Sequence, residues 1–220
     1  MKGIVIILLC SLVIPHTNAQ DPWKNIYRES AWAERDQWQR AGELVRLLNI
    51  KQGSQVADIG CHEGYMTTKL SPAVGATGKV FAVDVDQTKL NLLKNHLEDR
   101  KMGNVTLVKG DYDNPKLPVN TLDAVLILDA YHEMDDHDKI LQHIKAALKP
   151  GGRLLLCEPI SEARRKFSRE EQERKHELGI NFAVDDLKRA GFEITYQKDS
   201  YVDRIKVKGD MMWVIVAVRK

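Results

Sequence analysis

Cysteine is scarce in this chain, with three in 220 residues. That count excludes a disulfide framework, and a domain of this length has core-forming material enough to need no such staple. An excess of charge of one sign is missing as well. The 33 Lys and Arg against 31 Asp and Glu leave a formal charge of +2. With no clustered basic stripe, no nucleic acid is expected as partner. No apolar run is long enough to span a bilayer either. The run from Ile4 to Ile14 has eleven residues, where a spanning helix needs about twenty. Internal repeats and low-complexity tracts are absent.

That short apolar run has a meaning of its own. Lys2 precedes it, Pro15 breaks it, and Thr17-Asn18-Ala19 supplies small residues before Gln20. This is the three-part layout of a secretory signal over residues 1–19. The expected mature protein is exported, periplasmic or secreted, with no stable membrane span. An uncleaved N-terminal membrane anchor is the alternative. Intact mass separates the two, because cleavage removes the first nineteen residues. Cys10 leaves with the signal, while Cys61 and Cys157 fall in or beside expected strands as small apolar residues.

Residues 20–49 read as a lead-in and a helix from Ser30 to Asn49, a possible lid, with Trp38, Ala41, Val45 and Leu48 as its buried stripe. From residue 50 to 220, strand and helix signals alternate. Strands are expected at 56–59, 80–83, 105–108, 124–128 and 154–157. Leu90, Leu93 and Leu97 mark one helix, and Ile140, Ile144 and Leu148 another. A further helix over 65–70 is expected to close at Ser71-Pro72, and a short one to span 185–190. The charged stretch from Ser161 to Glu177 reads as a solvated helix and linker. Alternation of this kind predicts an α/β fold, a parallel sheet with helices on both faces. The tail departs from that alternation. Its two apolar runs, 192–197 and 211–218, have no helix pattern between them and predict an antiparallel hairpin.

Chemistry concentrates at the expected strand ends. Val56-Ala57-Asp58-Ile59-Gly60-Cys61-His62-Glu63-Gly64 leads a strand into a glycine turn and then a helix. Glycine there permits positive φ and close backbone approach to a ligand. Asp84 ends the second run, placed to accept bonds from both hydroxyls of a ribose. Asp111 follows Gly110 at the third, where with Tyr112 it would meet an adenine; an ordinary turn aspartate is the alternative. A nicotinamide enzyme would favour a third glycine where this chain has Thr67.

Together these motifs resemble class I S-adenosylmethionine-dependent methyltransferases. Asp58 to Gly64 is similar to their glycine-rich first motif, Val83-Asp84-Val85 to their ribose-binding acid, and Gly110-Asp111 to their adenine-contacting element. Leu122-Asp123-Ala124-Val125 through Tyr131-His132-Glu133 resembles their fourth-strand motif, and Leu148 to Leu154 their lead-in to strand five. The resemblance implies a Rossmann-like, seven-stranded, mostly parallel sheet with an antiparallel terminal strand. It implies S-adenosylmethionine as cofactor, held by Asp58, Gly60, Cys61, His62, Gly64, Tyr65, Asp84, Val85, Gly110, Asp111, Tyr112 and Asp129. His62 departs from the pattern, since relatives commonly carry glycine there.

The acceptor is expected beyond the fourth strand, beside Tyr131, His132 and Glu133. His132 reads as a general base, because its ordinary pKa lies near neutrality, or as a residue that packs the loop. Glu133 would orient the substrate or begin the next helix, and Glu158 faces the same edge. The acids of Met134-Asp135-Asp136-His137-Asp138 suit a helix N-terminus rather than a metal, and no metal is expected. Trp32, Arg35 and Trp38 are candidate covering residues, and Arg164-Arg165-Lys166 is either a contact for an anionic substrate or a solvated face. The substrate expected is a small molecule, with a catalytically silent binding module as the alternative.

Overall fold

The computed structural model describes residues 26–220, so the expected export signal lies outside the described residues. The apolar runs become one seven-stranded sheet. Its strands are β1 (Gln55–Ile59), β2 (Lys79–Asp84), β3 (Val105–Lys109), β4 (Leu122–Leu128), β5 (Leu148–Ile160), β6 (Phe192–Arg204) and β7 (Asp210–Arg219). They lie in the order β3-β2-β1-β4-β5-β7-β6. The first five pair in parallel. β7 runs against both of its neighbours and forms the expected hairpin with β6.

Helices cover both faces because strand side chains alternate between them. The described α-helices are α1 (Trp32–Trp38), α2 (Ala41–Leu47), α3 (Thr67–Val74), α4 (Gln87–Asp99), α5 (His137–Ala147), α6 (Arg169–Glu173), α7 (Ile180–Arg189) and α8 (Ile205–Lys208). Val56, Ala124, Leu126 and Leu155 pack with Leu44, Leu70 and Val74 on one face. Ala57, Val125, Ile127 and Leu156 pack with Ile140, Ile144 and Leu187 on the other. Each fully buried leucine or isoleucine contributes about 1.5–3 kcal/mol. β4 lies on the opposite side of β1 from β2, so the strand order reverses there. In open α/β sheets ligands bind at the carboxyl ends of the strands beside that reversal.

Beyond β5 and β6, which extend past the apolar runs expected at 154–157 and 192–197, four features differ from expectation. The helix expected over 30–49 is broken at Arg40, whose φ of +55° is left-handed. That conformation costs about 1–2 kcal/mol. It is offset where the guanidinium donates to Tyr201 O at 2.7 Å, stacks on the Tyr201 ring and pairs with Glu43. Leu44 and Leu48 carry the buried stripe with Ala41, whereas Trp38 and Val45 are half-buried. α3 runs past Ser71-Pro72 to Val74, with Gln52 Nε2 bonding the Ala73 carbonyl at 3.3 Å. α7 begins at Ile180, ahead of the expected 185.

The fourth difference matters most for function. The charged stretch 161–177 holds the expected helix, as α6, and most of its side chains are exposed, but buried polar groups pin it to the domain. Gln172 is fully buried and ties it together, donating to the carbonyls of Arg164 and Phe167 and accepting from Gly179 N. Glu177 is buried as well, accepting from Ser161 N and Oγ. Among the described residues no helix is long and apolar enough to cross a membrane.

Candidate functional site

The glycine turn after β1 is fixed by packing. Gly60 has φ +75°, and a Cβ added there would come within 2.4 Å of Ala130 Cβ. Only glycine lets the β1 and β4 ends close on each other. Gly60 N and Cys61 N both donate to Val83 O. His62 takes φ +50°, a left-handed conformation that glycine adopts most readily. Its N donates to Asp84 Oδ2 at 2.8 Å. Gly64 packs against Leu93, where a Cβ would stand 2.2 Å from Leu93 Cδ1.

Asp84 therefore has two duties. Oδ2 accepts from His62 N and Oδ1 from Asp86 N at 2.8 Å, so the carboxylate braces the loop. A carboxylate offers about four lone-pair sites, leaving acceptor capacity on the cavity side. Asp58 is buried at the end of β1 and accepts from Thr67 Oγ1 at 2.6 Å. Burial pushes its pKa up to about 6, against the opposing pull of the Thr67 bond. The pKa of an acid raised on folding makes the native state more stable at low pH. Relative to an Asp58→Asn variant, native stability should therefore fall by about 3 kcal/mol as pH rises from below 4 to above 6. Urea unfolding across that range measures it, and parallel profiles for the two proteins would refute it.

At β3 the arrangement is looser. Gly110 is buried under Val83, but Asp111 is exposed and paired with Lys116 at 2.9 Å. Tyr112 is 54% exposed. At the end of β4, Asp129 adopts φ +57° and is buried. Its Oδ2 accepts from Tyr27 Oη at 2.7 Å and Arg204 Nη1 at 2.6 Å. Burial opposes ionisation, yet the Arg204 guanidinium and then Lys208 hold its carboxyl well below the usual carboxylate range. Its other oxygen, Oδ1, is buried with no partner among the described residues.

Glu158, fully buried at the end of β5, organises the next turn. Oε1 accepts from Ala130 N and Tyr131 N at 2.7 and 2.9 Å, and Oε2 meets His132 Nδ1 at 2.5 Å. Nε2 of His132 lies 3.2 Å from Glu133 Oε1. Burial alone would lower the His132 pKa, but the carboxylates of Glu158 and Glu133 prevail and hold it up to about 10. The free base expected from an ordinary imidazole is thus not what the fold supplies. Tyr131 also departs from expectation. Its ring is fully buried and its hydroxyl donates to Asp186 at 2.9 Å, beneath α7 and away from the cavity.

These elements surround a cavity of about 830 Å³. Its wall brings together Asp58, Gly60, Cys61, His62, Tyr65, Asp84, Val85, Asp111, Tyr112, Asp129, His132 and Glu133. Gly64, Gly110 and Tyr131 stand behind that wall. Of the expected covering residues Arg35 reaches the cavity, stacked on Tyr65 at 4.1 Å, while Trp32 packs on Tyr65 and His96. Of the Arg164-Arg165-Lys166 cluster, Arg164 lines the cavity and pairs with Glu177; Arg165 turns outward to Asp199.

Several lining residues carry no signal in the sequence. Tyr27, Lys175, His176, Lys208 and Asp210 come from the lead-in, the 161–177 stretch and the hairpin turn. Arg204, fully buried, clamps Asp210 through Nε and Nη2 while reaching Asp129 through Nη1. The only hint is a charged hairpin turn between two apolar strands.

Residues 56–152 match the protein family described as a methyltransferase domain. The chain is 34% identical over 115 residues to the ubiquinone/menaquinone biosynthesis C-methyltransferase UbiE of Saccharophagus degradans, covering 52% of this chain and 46% of that one. It is 29% identical over 165 residues to the protein of the same name from Idiomarina loihiensis, covering 74% and 62%. The matched stretches thus span about half the length of these relatives. In fold, it is similar to a SAM dependent methyltransferase from Aquifex aeolicus, with a TM-score of 0.73 at 23% identity over 91% of this chain and 100% of that one. Glycine turn, acids at the strand ends and reversed terminal strand agree with these likenesses: residues 56–152 carry a methyltransferase domain, and the described chain has the fold of an S-adenosylmethionine-dependent methyltransferase.

Proposed function

We propose that this chain transfers the methyl group of S-adenosylmethionine to a small-molecule acceptor lying against His132, Glu133 and His176. The observation that carries the reading is Asp129 Oδ1, a buried, ionised acceptor on the cavity wall with no partner among the described residues. Leaving such a group unpaired costs about 1–3 kcal/mol or more, a cost relieved when a cationic ligand supplies the donor. The ammonium of a methionine moiety is such a donor. Asp84 retains acceptor capacity for a ribose, and the bend at Gly60 brings backbone to the cavity wall.

Bound there, S-adenosylmethionine supplies a methyl group already activated on a sulfonium. The chain's task is positioning, with the acceptor atom held about 3–3.5 Å from that methyl and in line with it. Asp129 and Asp84 would anchor the two ends of the cofactor. Glu158 fixes the 130–132 turn so that His132 and Glu133 border the acceptor space.

Methyl-labelled S-adenosylmethionine, incubated with the protein and a small-molecule extract of its native cells, is expected to label a compound in that extract. Binding of the cofactor with no labelled product in any fraction would favour the silent module instead. Absence of binding to both the cofactor and S-adenosylhomocysteine would overturn the reading altogether.

A further inference from the structure

On one wall of the cavity, three metal-ligating side chains converge from two separate segments. His132 and Glu133 belong to the turn after β4, and His176 to the stretch before α7. Glu133 Oε1 lies 3.2 Å from His132 Nε2 and 2.5 Å from His176 Nδ1. The three donor atoms all fall within 4.8 Å of one another. We infer that His132, Glu133 and His176 form a site for a borderline divalent cation of the zinc type, with an open coordination position facing the acceptor space.

Three features beyond proximity favour a cation. Glu158 occupies Nδ1 of His132 from behind, which leaves Nε2 as the nitrogen presented to Glu133. A carboxylate gripping the far nitrogen of an imidazole is how metal-ligating histidines are oriented. Two imidazoles and one carboxylate are the donor set of open catalytic zinc sites, in which a fourth position is left for water or substrate. His176 holds a left-handed backbone, φ +56°, and its ring meets that of His132 at 5.8 Å between centroids. That backbone is the left-handed cap of α6, closed by Glu177 N on the Gln172 carbonyl, and it holds the imidazole at the cavity rim.

The fit is dimensional as well. Bonds of about 2.0–2.1 Å around a tetrahedral ion separate its ligand atoms by about 3.3 Å. The His132–Glu133 spacing already matches, and the Glu133–His176 pair must open by less than about 1 Å. Both of those side chains are more than half exposed, at 52% and 64%, and have room to move.

Resting on the methyl-transfer reading, the ion would ligate an oxygen of the acceptor. The acceptor's hydroxyl proton would pass to solvent and the ion would stabilise the oxyanion left behind, supplying the activation that an imidazole clamped between two carboxylates does not. The favoured substrates are then small molecules with an acidic hydroxyl or enol at or beside the methylated atom.

The test uses the ion alone, so its outcome is independent of cofactor binding. Metal-stripped protein is titrated with Zn2+ by calorimetry and with Co2+ by visible absorption. One ion per chain is expected, with Co2+ bands of a low-coordinate nitrogen and oxygen site. His176→Ala, at an exposed position, should weaken Zn2+ binding at least tenfold and abolish the Co2+ bands, and Glu133→Gln should weaken it likewise. His143→Ala, on the outer side of α5, should leave both unchanged. Failure to bind either ion would overturn the inference, as would equal affinity in the His176→Ala protein or loss of binding in the His143→Ala protein.

Discussion

Asp84→Ala should weaken binding of S-adenosylhomocysteine by at least about 100-fold in calorimetry. The carboxylate would accept two hydroxyl bonds of the ribose, each charge-assisted and worth about 1.5–3 kcal/mol. It also accepts from His62 N at 2.8 Å, and that bond holds a non-glycine residue in left-handed backbone. Losing Asp84 therefore removes ligand contacts and loosens the loop that shapes the site. Asp84→Asn keeps one acceptor oxygen and should fall between wild type and alanine. A loss of less than about fivefold in the alanine variant would mean that the ribose is held elsewhere.

The second large effect concerns folding. Arg204→Met should destabilise the native state by about 3–5 kcal/mol, because it leaves two buried carboxylates without their shared cation. Asp129 and Asp210 are both buried against that guanidinium, which spans the gap between the β4 end and the start of β7. For a chain of this size such a loss lowers the melting temperature by about 6–20 °C. Arg204→Lys keeps the charge but not the planar fork, so it should recover only part of the difference. Thermal unfolding of the two variants beside wild type checks this. A methionine variant melting within about 2 °C of wild type would show that the cluster is solvated rather than buried.

The two predictions share a cause, which also explains what the sequence can and cannot disclose. Strands β1 to β5, the glycine turn and the acids Asp58, Asp84 and Asp129 are written locally. Each apolar run ends in a polar residue that the parallel register then delivers to the same rim. The helix break at Arg40 is hidden because a left-handed arginine is chosen by its contacts with Tyr201, about 160 residues away along the chain. Tyr131 misleads for a related reason. Its place in a functional motif says nothing of which way the ring points, and the fold aims it at Asp186.

His132 illustrates the limit most clearly. Its ordinary pKa suggests a base, but pKa is set by neighbours, and Glu158 arrives from a different strand. The cation-ready group of His132, Glu133 and His176 is equally hidden, because charge in the 161–177 stretch looks like solvation. Long-range pairing, rather than composition, decides both.

At the heart of this account is a cofactor lying along the carboxyl ends of β1, β2 and β4. A crystal structure with S-adenosylhomocysteine tests it most directly. The account predicts ribose hydroxyls on Asp84, the amino group on Asp129 Oδ1, and sulfur facing His132 and Glu133. A ligand seated elsewhere, or an amino group bonded away from Asp129, would contradict it.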